Sequence, residues 1–408
     1  MLLSLACIFL AGLSMACIAQ KLHLPRIVGM LVAGILLGPY VCNVLDPTIL
    51  SVSAVLRKIA LIIILIKAGL TLNIQDLKKA GKSAILLSFV PASFELVAYV
   101  VLAPKLLGIT YVEAAIMGSV LAAVSPAVVV PRMVEYIEKG YGTQKAIPQR
   151  LLAGASCDDI FVIVLFSTFL AMAKGGQIQW TGFLNIPLSI VLGILAGIVV
   201  GMAVSILFNH TELSVTLKVV VLLSLSFILV TLEDVLQPYF SMSGLLAVVA
   251  MAVVVKMQSR QTLIKHMSCQ IGNIWQMAEI LLFVLVGAEV NIQYTFLAGP
   301  KAVVLIIMAL LVRSLGVLVS VAGSDLDVKE KLFCMVSYLP KATVQAAIGG
   351  VALANGLACG EIVLSVAVLG ILITAPLGAI GMDSLYAKCL KKLQNESTDF
   401  WYRSGRLG

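Results

Sequence analysis

The chain has 408 residues, of which 61% are hydrophobic and 12% are charged, and its formal net charge is +8. Soluble domains are roughly half apolar and about a quarter charged, so this composition excludes an ordinary soluble protein and indicates lipid as the solvent. The eight cysteines are scattered singly, which gives no indication of a disulfide framework, a zinc site or a bound cofactor.

Thirteen apolar segments predict transmembrane helices, because each is long enough for the roughly 20 residues that cross a hydrocarbon core. They begin near residues 1, 24, 55, 83, 112, 150, 184, 215, 239, 273, 302, 333 and 360. Lys and Arg concentrate in the loops after odd-numbered segments and in the C-terminal tail, which predicts an N-terminus outside and a C-terminus inside. The positive charge then faces anionic lipid, and no nucleic acid is expected as a partner.

The first segment has a second interpretation as a cleaved signal peptide. Ser14-Met15-Ala16-Cys17 faintly resembles a lipoprotein cleavage box. A signal peptide carries basic residues before its apolar run, and no Lys or Arg precedes this one. We therefore expect a transmembrane helix here.

An internal repeat is indicated by two similar peptides. Residues 69–75 read GLTLNIQ and residues 287–293 read GAEVNIQ, with four identities at an offset of 218 residues. Seven predicted segments separate the copies, and an odd number predicts inverted topology. The same offset carries Glu95 onto Arg313, which places opposite charges at matching points of the two halves.

Charged side chains inside the predicted helices are expensive, at roughly 2.5–3.5 kcal/mol each on insertion scales, and usually face partners or water. Six such residues lie deep in the predicted helices: Glu95, Asp158, Asp159, Glu289, Arg313 and Lys341. A purely structural role as buried pairs leaves two of the four acids without a base. Asp158 and Asp159 are the natural remainder, and adjacent carboxylates must share a proton or a cation. Competition between those two occupants would be ion exchange.

Two predicted helices contain sequences that favour a break. Segment 125–131 has prolines at Pro126 and Pro131, and segment 340–345 places Lys341 directly after Pro340. Proline removes a backbone donor, and unwound backbone inside a membrane is tolerated only where it lines a cavity. The alternative is a simple proline kink in a packing helix. A break would leave carbonyl oxygens that suit a hard cation.

These residues together resemble a known family. Leu24-Pro25-Arg26-Ile27-Val28-Gly29, continuing to Gly38-Pro39, is similar to the second helix of the monovalent cation/proton antiporter superfamily. Segments 125–131 and 339–343 resemble its two crossing helices, and segment 154–159 resembles its double-aspartate helix. The pattern is most similar to sodium/proton antiporters with an Asp pair, including the animal NHA-type exchangers, and it covers nearly the whole chain.

The resemblance implies an all-α polytopic membrane protein with inverted repeats and two broken crossing helices, assembled as a homodimer. A core would slide against a scaffold in an elevator-type cycle. The implied units are scaffold residues 1–76, core residues 82–173, a linker helix at 184–208, scaffold residues 215–293, core residues 302–383 and a cytoplasmic tail at 384–408.

The resemblance also implies roles for single residues. Asp159 would be the main carboxylate that holds Na⁺ or a proton, with Asp158 beside it. Ser125, Ser156 and Thr343 would add oxygen ligands, and carbonyls of the first broken helix would complete the shell.

Two ion pairs follow in the same way. Arg313 stands on the helix where the bacterial pattern has a lysine, and its expected partner is Glu95. Lys341 is expected to pair with Glu289 across the boundary between core and scaffold. An arginine cannot give up its proton, so the number of protons exchanged per cation stays open.

The implied function is secondary active exchange of Na⁺ (or Li⁺) for H⁺, without enzyme activity, in a cell membrane and specifically a bacterial inner membrane. A K⁺/H⁺ antiporter of the same superfamily and another sodium-coupled transporter are the alternatives. A membrane aspartyl protease needs acids on facing helices, whereas adjacent residues point about 100° apart on one helix. A potassium channel needs a filter such as TVGYG, and the sequence has none.

Overall fold

The computed structural model describes residues 1–71, 81–174, 180–236 and 242–392. These residues form helices and their connections, and a β-bridge joins Tyr141 to Lys392. The predicted all-α class is confirmed. The second half of the repeat peptide at 72–75 and tail residues 393–408 lie outside the described residues.

The helices follow one another along the chain with short connections. Those of the first half are α1 (Leu2–Lys21), α2 (Arg26–Leu37), α3 (Pro47–Ser51), α4 (Ser53–Thr71), α5 (Gly81–Leu87), α6 (Val90–Leu107), α7 (Tyr111–Leu121), α8 (Pro126–Glu138) and α9 (Ile147–Lys174). The rest are α10 (Trp180–His210), α11 (Val215–Leu236), α12 (Gly244–Gln258), α13 (Gln261–Ala288), α14 (Ile292–Ser320), α15 (Val328–Ser337), α16 (Thr343–Gly349), α17 (Val351–Ala354) and α18 (Gly360–Cys389).

Each of the thirteen predicted segments falls on one of these helices or on a broken helix. Within the described ranges, nine spans are long and apolar enough to cross a membrane, and three shorter apolar helices accompany them. The multi-pass membrane class is therefore confirmed. The number of crossings and the N-out orientation stay predictions.

The helix bounds repeat at the offset of 218 residues. Shifting Arg26–Leu37 by this offset gives 244–255, which lies inside Gly244–Gln258, and shifting Tyr111–Leu121 gives 329–339, which overlaps Val328–Ser337. Both α7 and α15 begin with a capping box, in which Thr110 pairs with Glu113 and Asp327 pairs with Glu330. The two helices that lead into the breaks therefore start with the same local device.

Both predicted breaks are present. Residues 122–125 separate α7 from α8, and residues 338–342 separate α15 from α16. Pro126 is the first residue of α8, where its missing N–H has no intrahelical partner to lose, and Pro340 lies within the second break. The prediction that Pro131 breaks the helix is wrong. It lies inside α8, which continues to Glu138 because only the Ala127 carbonyl loses its intrahelical donor.

The long helices pack in two groups. In the first group, α2 packs against α1 and α13, and α4 packs against α12 and α13. Close approach needs small residues: a Cβ at Gly34 of α2 would lie 2.0 Å from the Val284 carbonyl oxygen of α13. In the second group, α6 packs against α14, and α7, α9, α15 and α18 surround the two breaks.

Loop charges of the second group meet at one end of the bundle. Lys145 lies 2.8 Å from Glu330, and Arg150 lies 3.2 Å from Asp325. Glu330 accepts a hydrogen bond from Lys145, which raises the pKa of that lysine and keeps it charged at neutral pH. These residues come from loops that the charge pattern assigns to the cytoplasm, so the two halves of the second group are tied together at that end.

Candidate ion-binding site

The two breaks contact each other at the centre of the second group. Ser125 donates its backbone N–H to the Pro340 carbonyl at 2.8 Å, and the Gln345 side-chain amide donates to the Ala123 carbonyl at 2.9 Å. Helix α9 passes beside the first break and brings Asp158 and Asp159 to it. Unwound backbone and two acids therefore share one buried site.

Asp158 is fully buried and held from two sides. Its Oδ2 atom accepts the Val124 N–H at 2.7 Å, and the same oxygen lies 3.2 Å from Nη2 of Arg313. The first contact fixes α9 against the break, and the second balances the charge of the carboxylate. Asp158 is thus already part of a network within the protein.

Arg313 is fully buried on α14 and bonds to four groups. Nη1 lies 2.7 Å from Glu95 Oε2 on α6 and also donates to the Ala122 carbonyl, while Nε donates to the Tyr338 carbonyl at 2.7 Å. The predicted contact of Glu95 with Arg313 is present. A guanidinium carries five donors in a fixed plane, which lets one side chain hold Asp158, Glu95 and both breaks in register.

Four oxygen atoms of the site have no hydrogen-bond partner within the described protein: Asp158 Oδ1, Asp159 Oδ1, Ser125 Oγ and Thr343 Oγ1. An unsatisfied buried oxygen costs about 1–3 kcal/mol, so a cluster of them needs an explanation. Carboxylate and hydroxyl oxygens are the donor atoms that a hard cation prefers. The residues present therefore fit a small cation or a proton, and they include four of the five predicted cation ligands.

Ser156 was the fifth predicted ligand. It lies on α9, three residues before Asp159, and its side chain is outside what the structure describes.

Comparison with known proteins decides the family. The sodium/hydrogen exchanger transmembrane family matches residues 5–385 of this chain. The chain belongs to this family.

Relatives and solved structures agree with that assignment. The chain is 36% identical over 391 residues to human sodium/hydrogen exchanger 9B2, covering 92% of this chain and 72% of the relative. It is 34% identical over 388 residues to human sodium/hydrogen exchanger 9B1, covering 90% and 73%. The sodium proton antiporter MjNhaP1 from Methanocaldococcus jannaschii has the same fold, with a TM-score of 0.83 at 20% identity, over 95% of this chain and 99% of that one.

None of the proteins named here is bacterial, and the bacterial inner membrane stays an expectation. The broader prediction of a multi-pass membrane antiporter is confirmed.

In this exchanger Lys341 has a different partner from the one predicted. Its Nζ atom lies 2.6 Å from Glu95 Oε1 and donates to the Leu121 carbonyl. The predicted pair of Glu289 with Lys341 is wrong. Glu289, at the end of α13, lies 2.8 Å from Arg57 instead and accepts a hydrogen bond from Ser53. Glu95 therefore contacts both basic residues, Arg313 and Lys341.

Three carbonyls at the first break contact side chains of the second half, and the predicted part of this helix's carbonyls in the cation shell stays a prediction. The carbonyls of residues 121, 122 and 123 each accept a hydrogen bond from a donor of the second half: Lys341, Arg313 and Gln345, respectively. These three oxygens are therefore engaged by protein groups. The side-chain oxygens, rather than these carbonyls, are left for a cation.

Arg57 is a buried charge that the count of charges inside the predicted helices left out. It is the fifth residue of α4, a position that suggests the membrane edge, yet it is 3% exposed. No sequence signal pointed to it, because Lys341 was already the expected partner of Glu289.

Proposed function

We propose that this exchanger moves one Na⁺ (or Li⁺) against one H⁺, and that both compete for Asp159. The main support is the difference between the two aspartates. Asp158 contacts Arg313 and accepts the Val124 N–H. Asp159 has a buried Oδ1 atom without a hydrogen-bond partner, and no base of the described protein lies within ion-pair distance of it. The free carboxylate is therefore the one that a cation or a proton neutralises.

Charge balance supports the ratio of one to one. The buried network holds three acids, Glu95, Asp158 and Asp159, and two bases, Arg313 and Lys341. With all five ionised the site carries one negative charge. A single Na⁺ or a single H⁺ brings the site to neutrality, so both loaded forms cross the low-dielectric interior at a similar electrostatic cost.

The two helix groups support alternating access. The second group contains both breaks and the ion site, and the first group contains α1, α2, α4, α12 and α13. We propose that the second group, with residues 82–173 and 302–383, is the moving core, and that residues 1–76 and 215–293 form the scaffold, joined by the linker helix at 184–208. The homodimer and the contact with anionic lipid remain predictions from the resemblance.

The test is proton flux in proteoliposomes with Na⁺, Li⁺ or K⁺ on one side and the membrane potential clamped. One-to-one exchange moves no net charge, so the rate should be the same at 0 mV and at about −100 mV, a difference worth about 2.3 kcal/mol per charge moved. Flux driven by potential alone would show two protons per cation and place the second proton on Asp158 or Lys341. Flux with K⁺ as fast as with Na⁺ would favour the K⁺/H⁺ alternative.

A further inference from the structure

A second buried charge cluster lies outside the ion site, at the end of the first group where α13 stops. Arg57 of α4 lies 2.8 Å from Oε2 of Glu289, and Ser53 donates a hydrogen bond to the same carboxylate. The guanidinium is nearly fully buried, yet its Nε and Nη1 atoms have no hydrogen-bond partner in the described protein. The exchange mechanism above gives this cluster no role.

The unpaired side of Arg57 faces the second group. A Cβ built on Gly350 would lie 1.9 Å from Nη1 of Arg57, so the guanidinium rests on the Gly350 backbone. A side chain at this position would have to displace the end of the Arg57 side chain, which Glu289 holds in place.

Gly350 is connected to the ion site by a single short helix. Helix α16 begins at Thr343, which carries one of the unpaired oxygens, and Gly350 follows its last residue. The same helix packs against both α4 and α13. A helix of seven residues is about 10 Å long, so the ion site and Arg57 lie at opposite ends of one rigid element.

We propose that Arg57, positioned by Glu289, is a docking contact for Gly350 that stabilises the closed position of the moving core at the Glu289 end. The contact must break in each cycle for the core to move, so it sets the equilibrium between the two positions. This inference rests on the proposed alternating access. By the predicted topology the Glu289 end is extracellular.

The decisive variant is Gly350→Ala, which leaves every charge in place and fills the space that Nη1 occupies. In oriented proteoliposomes we expect the apparent cation affinity to rise from the Glu289 side and to fall from the opposite side, each by about three- to tenfold, because apparent affinity follows the population of the accessible state. A purely structural defect would lower thermal stability and would move both affinities in the same direction.

Two further variants make the test specific. Arg57→Gln with Glu289→Gln removes the contact without stranding a buried charge, and it should produce the same opposite shifts. Adding Gly350→Ala to that pair should then change nothing more, because its clash partner is gone.

Gly349→Ala is the matched control, since its Cβ would meet Ala367 at 3.0 Å inside the second group and not Arg57. It should leave the two affinities in their wild-type ratio. Wild-type ratios in both Gly350→Ala and the neutral pair, with exchange intact, would overturn the docking contact and leave the proposed exchange standing. Absence of exchange in the wild type would contradict the proposed function itself.

Discussion

The first break, residues 122–125, and the second break, residues 338–342, interrupt their helices at matching points of the repeat but carry different groups. Acidic and hydroxyl side chains lie at the first break. Three of them, Ser125, Asp158 and Asp159, have a side-chain oxygen without a hydrogen-bond partner in the described protein. The second carries Lys341, and its own backbone is bonded: the Lys341 N–H donates to Thr374 and the Ala342 N–H donates to Gln345.

This difference shows how one repeated backbone produces a single site. Side chains of the second half donate hydrogen bonds to the carbonyls of Leu121, Ala122 and Ala123, so groups of the protein hold the backbone at the first break. The oxygens left over are then side-chain oxygens at one place. The two halves share a geometry, but the first half supplies the two carboxylates and Ser125, and the second half supplies the two bases and Thr343.

The largest effect on exchange is expected at Asp159, the acid beside the first break that has no basic partner in the described protein. Asp159→Asn keeps the size of the side chain and removes the one carboxylate that the network does not balance. We predict loss of cation-driven proton flux in proteoliposomes, with the protein still folded, because neither Na⁺ nor H⁺ can then neutralise the site.

Asp158→Asn is the matched control on the neighbouring residue. An amide oxygen can still accept the Val124 N–H, so measurable exchange should remain, with reduced affinity from the altered charge balance. Near-wild-type flux in Asp159→Asn together with no flux in Asp158→Asn would reverse the assignment of the two carboxylates.

The next largest effect is expected at Glu95, which contacts the two basic residues of the second half, Arg313 and Lys341. Glu95 lies 2.7 Å from Arg313 and 2.6 Å from Lys341, so Glu95→Gln strands the buried Lys341 and leaves Arg313 with Asp158 as its acid partner. We predict a loss of stability of about 3–5 kcal/mol or more, by analogy with other broken buried ion pairs. Thermal unfolding in detergent would measure it.

Lys341→Gln is the control for that loss, because Glu95 then keeps Arg313 as its partner. It should be clearly milder than Glu95→Gln. Adding Lys341→Gln to Glu95→Gln should recover part of the lost stability, since one stranded cation is removed. Strictly additive losses would show that Glu95 and Lys341 do not interact.

Much of the fold could be predicted because it depends on local patterns. The length of the apolar segments predicted the helices, and Pro126 and Pro340 indicated the two breaks. The count of acids against bases drew attention to the Asp pair, but its prediction that both aspartates lack a base is wrong. Arg57 pairs with Glu289 and Arg313 contacts Asp158, so within the described residues Asp159 is the acid of the pair without a base. Proline chemistry alone overstated the effect of Pro131, because a helix that is already packed tolerates one missing donor.

Partner choice could not be predicted in the same way. A count of charges does not say which acid faces which base, and Glu95 binding two cations leaves Glu289 to Arg57. Nor could proline positions show that donors 191 to 222 residues distant bond to the carbonyls of residues 121–123 at the first break. Both facts depend on how the two halves come together in space.

The smallest predicted effect tests whether the leftover oxygens are ligands. Thr343→Val removes an Oγ1 atom that has no partner, so it should leave thermal stability unchanged or raise it, because a buried unsatisfied group contributes a penalty of about 1–3 kcal/mol. If Oγ1 binds the cation, apparent Na⁺ affinity should fall by about tenfold, the equivalent of one good oxygen contact at roughly 1.4 kcal/mol. Flux titrations against Na⁺ would measure the affinity.

Thr374→Val is the matched control. Thr343 and Thr374 are both 1% exposed, but only the Thr374 hydroxyl has a hydrogen-bond partner in the described protein. Thr374 Oγ1 accepts the Lys341 N–H at 2.9 Å, so its removal leaves a buried donor unpaired and should lower stability by about 1–3 kcal/mol. Opposite signs of the stability change at the two positions, with the affinity loss at Thr343, would show that the unpaired oxygen serves the ion. Equal destabilisation at both positions would instead make Thr343 a structural residue and reduce the site to the carboxylates and Ser125.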